Sequence, residues 1–243
     1  MSNIVTGKKN IYGFKIGVIM LDMQFPRIPG DVGNAHTWNY PVLYRVVKDA
    51  LPNKIAEDIT DEDLAPFLNA ARELEAQGVS AIALGCGFLS IFHARIKTAV
   101  KIPVIPSALA LLPLIYRMLP PEKIVGVMTA DATGLMPAHF KASGAQDVPV
   151  AIIGMEEERE FYTSVMQNKP QMDIDLCREE HKRVAQKLLR KNPQVGAMLL
   201  ECTNMPAYSQ AIQEATGLPV FDITTLIDFV HGALERKSFP LAL

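Results

Sequence analysis

Two of the chain's three cysteines, Cys86 and Cys202, stand at matching points of an internal duplication. Ala81-Ile82-Ala83-Leu84-Gly85-Cys86 aligns with Ala197-Met198-Leu199-Leu200-Glu201-Cys202 at a constant offset of 116 positions. The alignment runs on without a gap: Ile96 falls on Ile212 and Pro103-Val104 on Pro219-Val220, so each cysteine precedes its proline by 17 residues. A lone cysteine is as often a small buried hydrophobe as a reactive group. Two retained at equivalent points of a repeat are better explained by chemistry. Each ends an apolar strand and precedes a helix, at Cys86-Gly87-Phe88 and Cys202-Thr203-Asn204. Ligands of open α/β sheets bind beyond the carboxyl ends of the strands. The positive end of the following helix is expected to favour thiolate.

Facing thiols suit the removal of a proton from one side of a carbon acid and the return of another to the opposite side, thiol and thiolate exchanging roles at each turnover. Backbone amides at the two turns, with the Thr203 and Asn204 side chains, are expected to hold a substrate carboxylate as it gains enediolate character. This chemistry calls for no cofactor. The same thiols could serve as base and acid in a β-elimination, or one could act as nucleophile in a cis–trans isomerisation. A non-enzymatic carboxylate binder or a thiol redox sensor is the alternative of another class. Cys177 reads differently, lying with Ile174, Val184 and Leu188 on the apolar stripe of a helix expected over about 173–190, and is assigned to packing. His181 makes a Cys-x-x-x-His pair with it, but two ligands without companions do not make a metal site, and none is assigned.

The elements that must position these thiols are short Val- and Ile-rich runs at 15–21, 80–86, 104–106, 123–129, 150–154, 197–202 and 220–223. Unbroken apolar runs of this length read as parallel strands covered on both faces. Between them are amphipathic helices with recognisable ends. Thr60 with Asp63 forms a capping box and Gly78 closes that helix, while Gly217 closes a later one and Thr225 with Asp228 repeats the capping signature. Lys15-Ile16-Gly17-Val18-Ile19-Met20 also resembles Lys123-Ile124-Val125-Gly126-Val127-Met128, aligned on Gly17 and Gly126 at an offset of 109. The fold class is therefore α/β: two pseudo-symmetric, flavodoxin-like parallel-sheet halves with the active site between them. The expected division is 1–112 plus 222–243 for one half and 113–221 for the other.

Composition narrows the partners. The chain has 243 residues, 49% of them hydrophobic, with a net charge of −2 and no long basic run, which argues against nucleic acid. No apolar stretch reaches membrane-spanning length, and the N-terminus lacks a signal-peptide core, so a cytoplasmic protein without a membrane partner is expected. A homo-oligomer is compatible with the sequence.

At the cysteines the chain resembles the aspartate/glutamate/hydantoin racemase superfamily, two-domain α/β enzymes that work without pyridoxal phosphate and carry one catalytic cysteine in each half. The resemblance covers nearly the whole chain, through Ile16-Gly17-Val18, Gly85-Cys86-Gly87, Met128-Thr129-Ala130-Asp131-Ala132-Thr133 and Glu201-Cys202-Thr203-Asn204. It implies catalytic roles for Cys86 and Cys202 and carboxylate contacts from Gly87, Phe88, Thr203 and Asn204. It also implies a pocket lined by Thr129 and Asp131, with Asp22 at the equivalent first-half strand end. Gly87-Phe88 stand where the amino-acid racemases of this group commonly have Asn or Thr, which exchanges polar contacts for backbone and an aromatic face. The expected activity is a cofactor-independent racemase or epimerase acting at the α-carbon of an amino acid or related small carboxylate by two-base proton transfer through Cys86 and Cys202. The superfamily also holds arylmalonate decarboxylases, maleate isomerases and the algal lyases that cleave dimethylsulfoniopropionate, and fold and cysteines alone do not choose among these. The Gly- and Pro-rich loop 22–41 is either a surface connection or a lid that brings Arg27 to a substrate carboxylate.

Overall fold

The computed structural model describes residues 4–50 and 60–239. The outer ends of the expected first half, and residues 51–59 within it, lie outside that range.

In chain order the strands are β1 (Ile16–Leu21), β2 (Val42–Val47), β3 (Ala81–Leu84), β4 (Val104–Ile105), β5 (Ile124–Thr129), β6 (Val150–Gly154), β7 (Val195–Leu200) and β8 (Val220–Phe221). They form two four-stranded sheets of identical topology, ordered β2-β1-β3-β4 and β6-β5-β7-β8, and every pairing is parallel. The duplication read from the sequence is thus one of architecture: β1 answers to β5 and β3 to β7. Every residue of β1 is buried, as expected of a strand with helices on both faces.

The described α-helices are α1 (Asp61–Gln77), α2 (His93–Thr98), α3 (Leu112–Met118), α4 (Pro137–Ala142), α5 (Glu160–Met166), α6 (Ile174–Lys191), α7 (Ser209–Thr216) and α8 (Ile223–Leu234). The two longest pack against equivalent strand glycines. A Cβ on Gly17 would stand 3.0 Å from a Leu74 methyl of α1, and one on Gly126 would stand 2.8 Å from a Leu188 methyl of α6. The glycines matched at the offset of 109 are therefore where a helix side chain packs onto its sheet. One hydrophobic core continues across both sheets, joining Val18, Ile19 and Ala83 of the first to Val125, Val127, Ala197 and Leu199 of the second.

The Thr60/Asp63 capping box starts α1, and Gly78 and Gly217 close α1 and α7 in left-handed conformations. Two expectations are corrected. The strand β2 was not recognised, because it is a sheet edge: only Val47 is buried, and Tyr44 and Arg45 break the apolar run. The last helix starts a turn before Thr225, capped by Asp222, whose side chain accepts from the amides of Thr224 and Thr225. Asp228 instead accepts a hydrogen bond from Tyr40 Oη. No helix among the described residues is long and apolar enough to cross a membrane.

Candidate active site

Cys86 lies two residues beyond β3, and Cys202 lies two residues beyond β7. A 3-10 turn follows each, Gly87–Phe92 and Met205–Tyr208, and only then a helix, α2 or α7. Both cysteines are free and partly buried, and both line one pocket. The first half contributes Leu21, Met23, Phe25, Arg27 and Gly85 through Phe88; the second contributes Ala130, Val165, Met166 and Glu201 through Asn204. The wall is largely apolar, with Arg27 its one cation among the described residues.

Glu201 was not assigned a role from sequence, yet it is the carboxylate of this pocket and is only 2% exposed. Its Oε2 accepts a hydrogen bond from Thr129 Oγ1 at 2.8 Å. Its Oε1 has no hydrogen-bond partner among the described residues. That oxygen lies against the α-carbon of Gly87, where a Cβ would come within 1.9 Å of it, so no side chain fits beside Cys86. Burial pushes the Glu201 carboxyl up to about 7, against the hydrogen bond from Thr129, which favours the ionised form. The available signal was a glutamate ending an apolar strand, at the position where the first half has Gly85.

The thiolate expectation is overturned. Burial pushes the Cys86 thiol up to about 12, and the charge of Glu201 adds to this; the backbone amides of Phe88 and Leu89 and the Arg27 cation pull the other way without winning. Cys202 is raised well above the usual thiol range, first by burial and then by Glu201, Cys86 and Asp31, with only the Asn204 amide opposing. A helix terminus contributes about 0.3–1 kcal/mol at an exposed site, which desolvation and a neighbouring carboxylate outweigh. Burial thus favours the thiol form of both, and only Cys86 has a cation, Arg27, that opposes it.

Loop 22–41 is neither a surface connection nor a free flap. Asp31, 2% exposed, accepts from Arg27 Nη1 at 2.8 Å, from the Gly33 amide at 2.7 Å and from Asn204 Nδ2 at 2.7 Å. The Val32 amide donates to the Thr203 carbonyl, so the first-half loop is tied directly to the second-half turn. The Arg27 guanidinium carbon sits 4.6 Å from the centre of the Phe25 ring. The loop is thus a packed wall that carries Arg27 into the pocket.

No family model matches the chain. It is 30% identical to a dimethylsulfoniopropionate lyase of Durusdinium sp. clade D, over 96% of this chain and 79% of that protein. It is also 30% identical to dimethylsulfoniopropionate lyase 7 of Emiliania huxleyi, over 92% of this chain and 68% of that one. Among solved structures, a glutamate racemase of Bacillus anthracis superposes with a TM-score of 0.63 at 14% identity, covering 91% of this chain and 81% of that one. Unliganded arylmalonate decarboxylase superposes with a TM-score of 0.60 at 14% identity, covering 92% and 93%. The chain belongs to the family of the Durusdinium dimethylsulfoniopropionate lyase, and it shares the fold of the racemase and the decarboxylase.

Of the residues expected from the sequence, the structure brings Cys86, Cys202, Arg27, Gly87, Phe88, Thr203 and Asn204 to the pocket and leaves three away from its lining. Asp22 is exposed, and its carboxylate accepts from the Asp49 amide. Thr129 is fully buried behind Glu201, which it holds. Asp131 caps the following turn, accepting from Thr133 and Gly134. The polar side chains of two lining residues are also committed elsewhere: Thr203 Oγ1 donates to the Gly85 carbonyl at 2.8 Å, and Asn204 Nδ2 donates to Asp31. Both bonds join the two halves. Cys177 is fully buried on α6, away from the pocket, with His181 Nδ1 against its carbonyl oxygen and the His181 ring stacked on Tyr208. The described residues hold no group of three metal-ligating side chains.

Proposed function

We propose that the chain is a cysteine-dependent lyase that eliminates a sulfide from a 3-sulfoniopropionate such as dimethylsulfoniopropionate, with Cys86 as the base. The observation that carries this reading is the make-up of the pocket: two thiols, the Glu201 carboxyl and, among the described residues, one cation in a largely apolar wall. Arg27 keeps donors beyond the one given to Asp31 and takes the substrate carboxylate. The sulfonium end needs no hydrogen bonds, and Phe88, Met23 and Met166 offer it polarisable surface. An α-amino acid would instead need partners for its ammonium group, and the Thr203 and Asn204 side chains are already engaged.

The Cys86 thiolate removes a proton from the carbon next to the carboxylate, so that a C–H bond breaks and an S–H bond forms. The freed pair becomes the C=C bond of acrylate as the C–S bond breaks, and the sulfide departs with that bond's electrons. Backbone amides of the two strand-end turns stabilise the carboxylate while it has enolate character. The names of the sequence relatives favour this reaction over the others open to a thiol pair. Two-base racemisation remains the second reading, favoured by the equivalent positions of Cys86 and Cys202 in the two sheets.

The test is proton NMR of the protein with dimethylsulfoniopropionate in heavy water. Acrylate and dimethyl sulfide in equal amounts are expected. Absence of alkene, with deuterium entering the α-position of an amino acid and loss of its optical rotation, would overturn elimination in favour of racemisation.

A further inference from the structure

Elimination and racemisation differ in their proton balance. A two-base racemase returns a proton to the carbon in each cycle and ends with none to export. An elimination takes a proton at every turnover and returns none, so its thiol must be emptied before it can act again. Neither thiol has an ordinary route to do this, since both are held in the protonated form by their surroundings.

One side chain in the pocket fits the task. Glu201 immediately precedes Cys202, and its Oε1 lies on the α-carbon of Gly87, the residue after Cys86. The carboxyl is therefore wedged between the two cysteine-bearing turns. One oxygen is fixed by Thr129, while the other is buried and without a partner. An acceptor left unpaired at 2% exposure is costly unless it is used. We propose that Glu201 is the proton acceptor of the catalytic thiol, taking its proton to form the thiolate before elimination and releasing that proton to water afterwards.

The cycle balances. The Cys86 S–H bond breaks and a Glu201 O–H bond forms; the thiolate then takes the substrate proton, regenerating S–H, and the carboxylic acid loses its proton to bulk water. At rest the pair carries one negative charge on the carboxylate; that charge moves to the sulfur for the chemical step, leaves with the products when the substrate proton is taken, and is restored when the carboxylic acid loses its proton to water. The charged or titratable groups facing it are Cys86 and Cys202, with Arg27 acting on Cys86 and Asp31 on Cys202. Burial sets the carboxyl near 7, where a proton acceptor works in neutral water.

This inference rests on the elimination reading only for the direction of proton traffic, so its test uses the thiols without substrate. Cys86 alkylation by iodoacetamide is followed by mass spectrometry from pH 5 to 10 in the parent chain, Glu201→Gln and Thr129→Val. In the parent the rate should rise with an inflection near pH 7 and then level off. Glu201→Gln should lose that inflection and rise continuously with pH, as a lone buried thiol does. Thr129→Val removes the bond that favours the carboxylate, and should move the inflection upward. It decides the matter if the Gln variant does not fold. Superimposable profiles for parent and variants would overturn the proposal, whereas a parent that shows these profiles but makes no acrylate would end the elimination reading alone.

Discussion

Glu201 Oε1 and the α-carbon of Gly87 are packed so closely that a Cβ on residue 87 would lie 1.9 Å from the oxygen and 2.9 Å from the Glu201 carbonyl. The contact joins the two cysteine-bearing turns across the pocket, and it cannot be relieved by side-chain rotation alone because backbone is involved. Gly87→Ala should therefore cost about 1–3 kcal/mol of stability through overpacking. It should also lower turnover by on the order of 100-fold through misplacement of the reacting groups. Chemical denaturation and a rate assay on the same preparation check both.

The pH dependence of stability carries a signature of Glu201. Its folded-state value is raised from 4.5 to about 7, so its contribution is fully present below about 4.5 and is lost as pH rises through about 7. The ionised form then costs about 3 kcal/mol. His181 runs the other way: burial depresses it to about 4, so its contribution is present above 6.5 and lost as pH falls through about 4. The two nearly cancel in the parent chain. Glu201→Gln should gain stability over the parent by about 3 kcal/mol between pH 4.5 and 8, measured by urea unfolding at each pH; a constant difference across that range would contradict the raised value.

Arg27 is held by Asp31 beneath it and by Phe25 beside it, leaving the rest of its guanidinium for substrate. Lysine keeps the charge but loses the planar fork. Arg27→Lys should raise KM by about 10-fold or more, since a hydrogen bond to a charged group is worth about 1.5–3 kcal/mol. A fall in kcat with KM unchanged would place Arg27 outside carboxylate binding.

Cys177→Ala should leave turnover intact and cost about 1 kcal/mol of stability, because the side chain is fully buried on α6 and packed with that helix's core. Loss of activity in a folded Cys177 variant would reopen its assignment to packing.

The sequence was most legible where both halves repeat it. The shared offset located Cys86 and Cys202, and the matched Gly17 and Gly126 turned out to be helix contacts on equivalent strands. Legibility failed where one half departs from the other. Glu201 was read as part of an apolar motif because its partner is Gly85, and nothing local says that its carboxyl folds back on Gly87. Asp22, Thr129 and Asp131 were assigned by resemblance at strand ends, where one step along the chain turns a side chain from the pocket to the core or the surface. The edge strand β2 was missed because an edge buries too little to show a pattern. The thiol ionisation was misjudged because burial is a property of the packed molecule, whereas a helix start can be read locally.

The central claim is that Cys86 is the base of an elimination, and single-turnover acrylate formation from dimethylsulfoniopropionate by the parent, Cys86→Ser and Cys202→Ser tests it most directly. A serine hydroxyl is too weak a base near neutral pH, so Cys86→Ser should lose on the order of 10²–10⁴-fold in rate. Cys202→Ser should retain measurable elimination, because the second thiol, which donates to Asn204 Oδ1, takes no proton in the reaction. Parental acrylate production by Cys86→Ser, or loss of elimination confined to Cys202→Ser, would contradict the assignment.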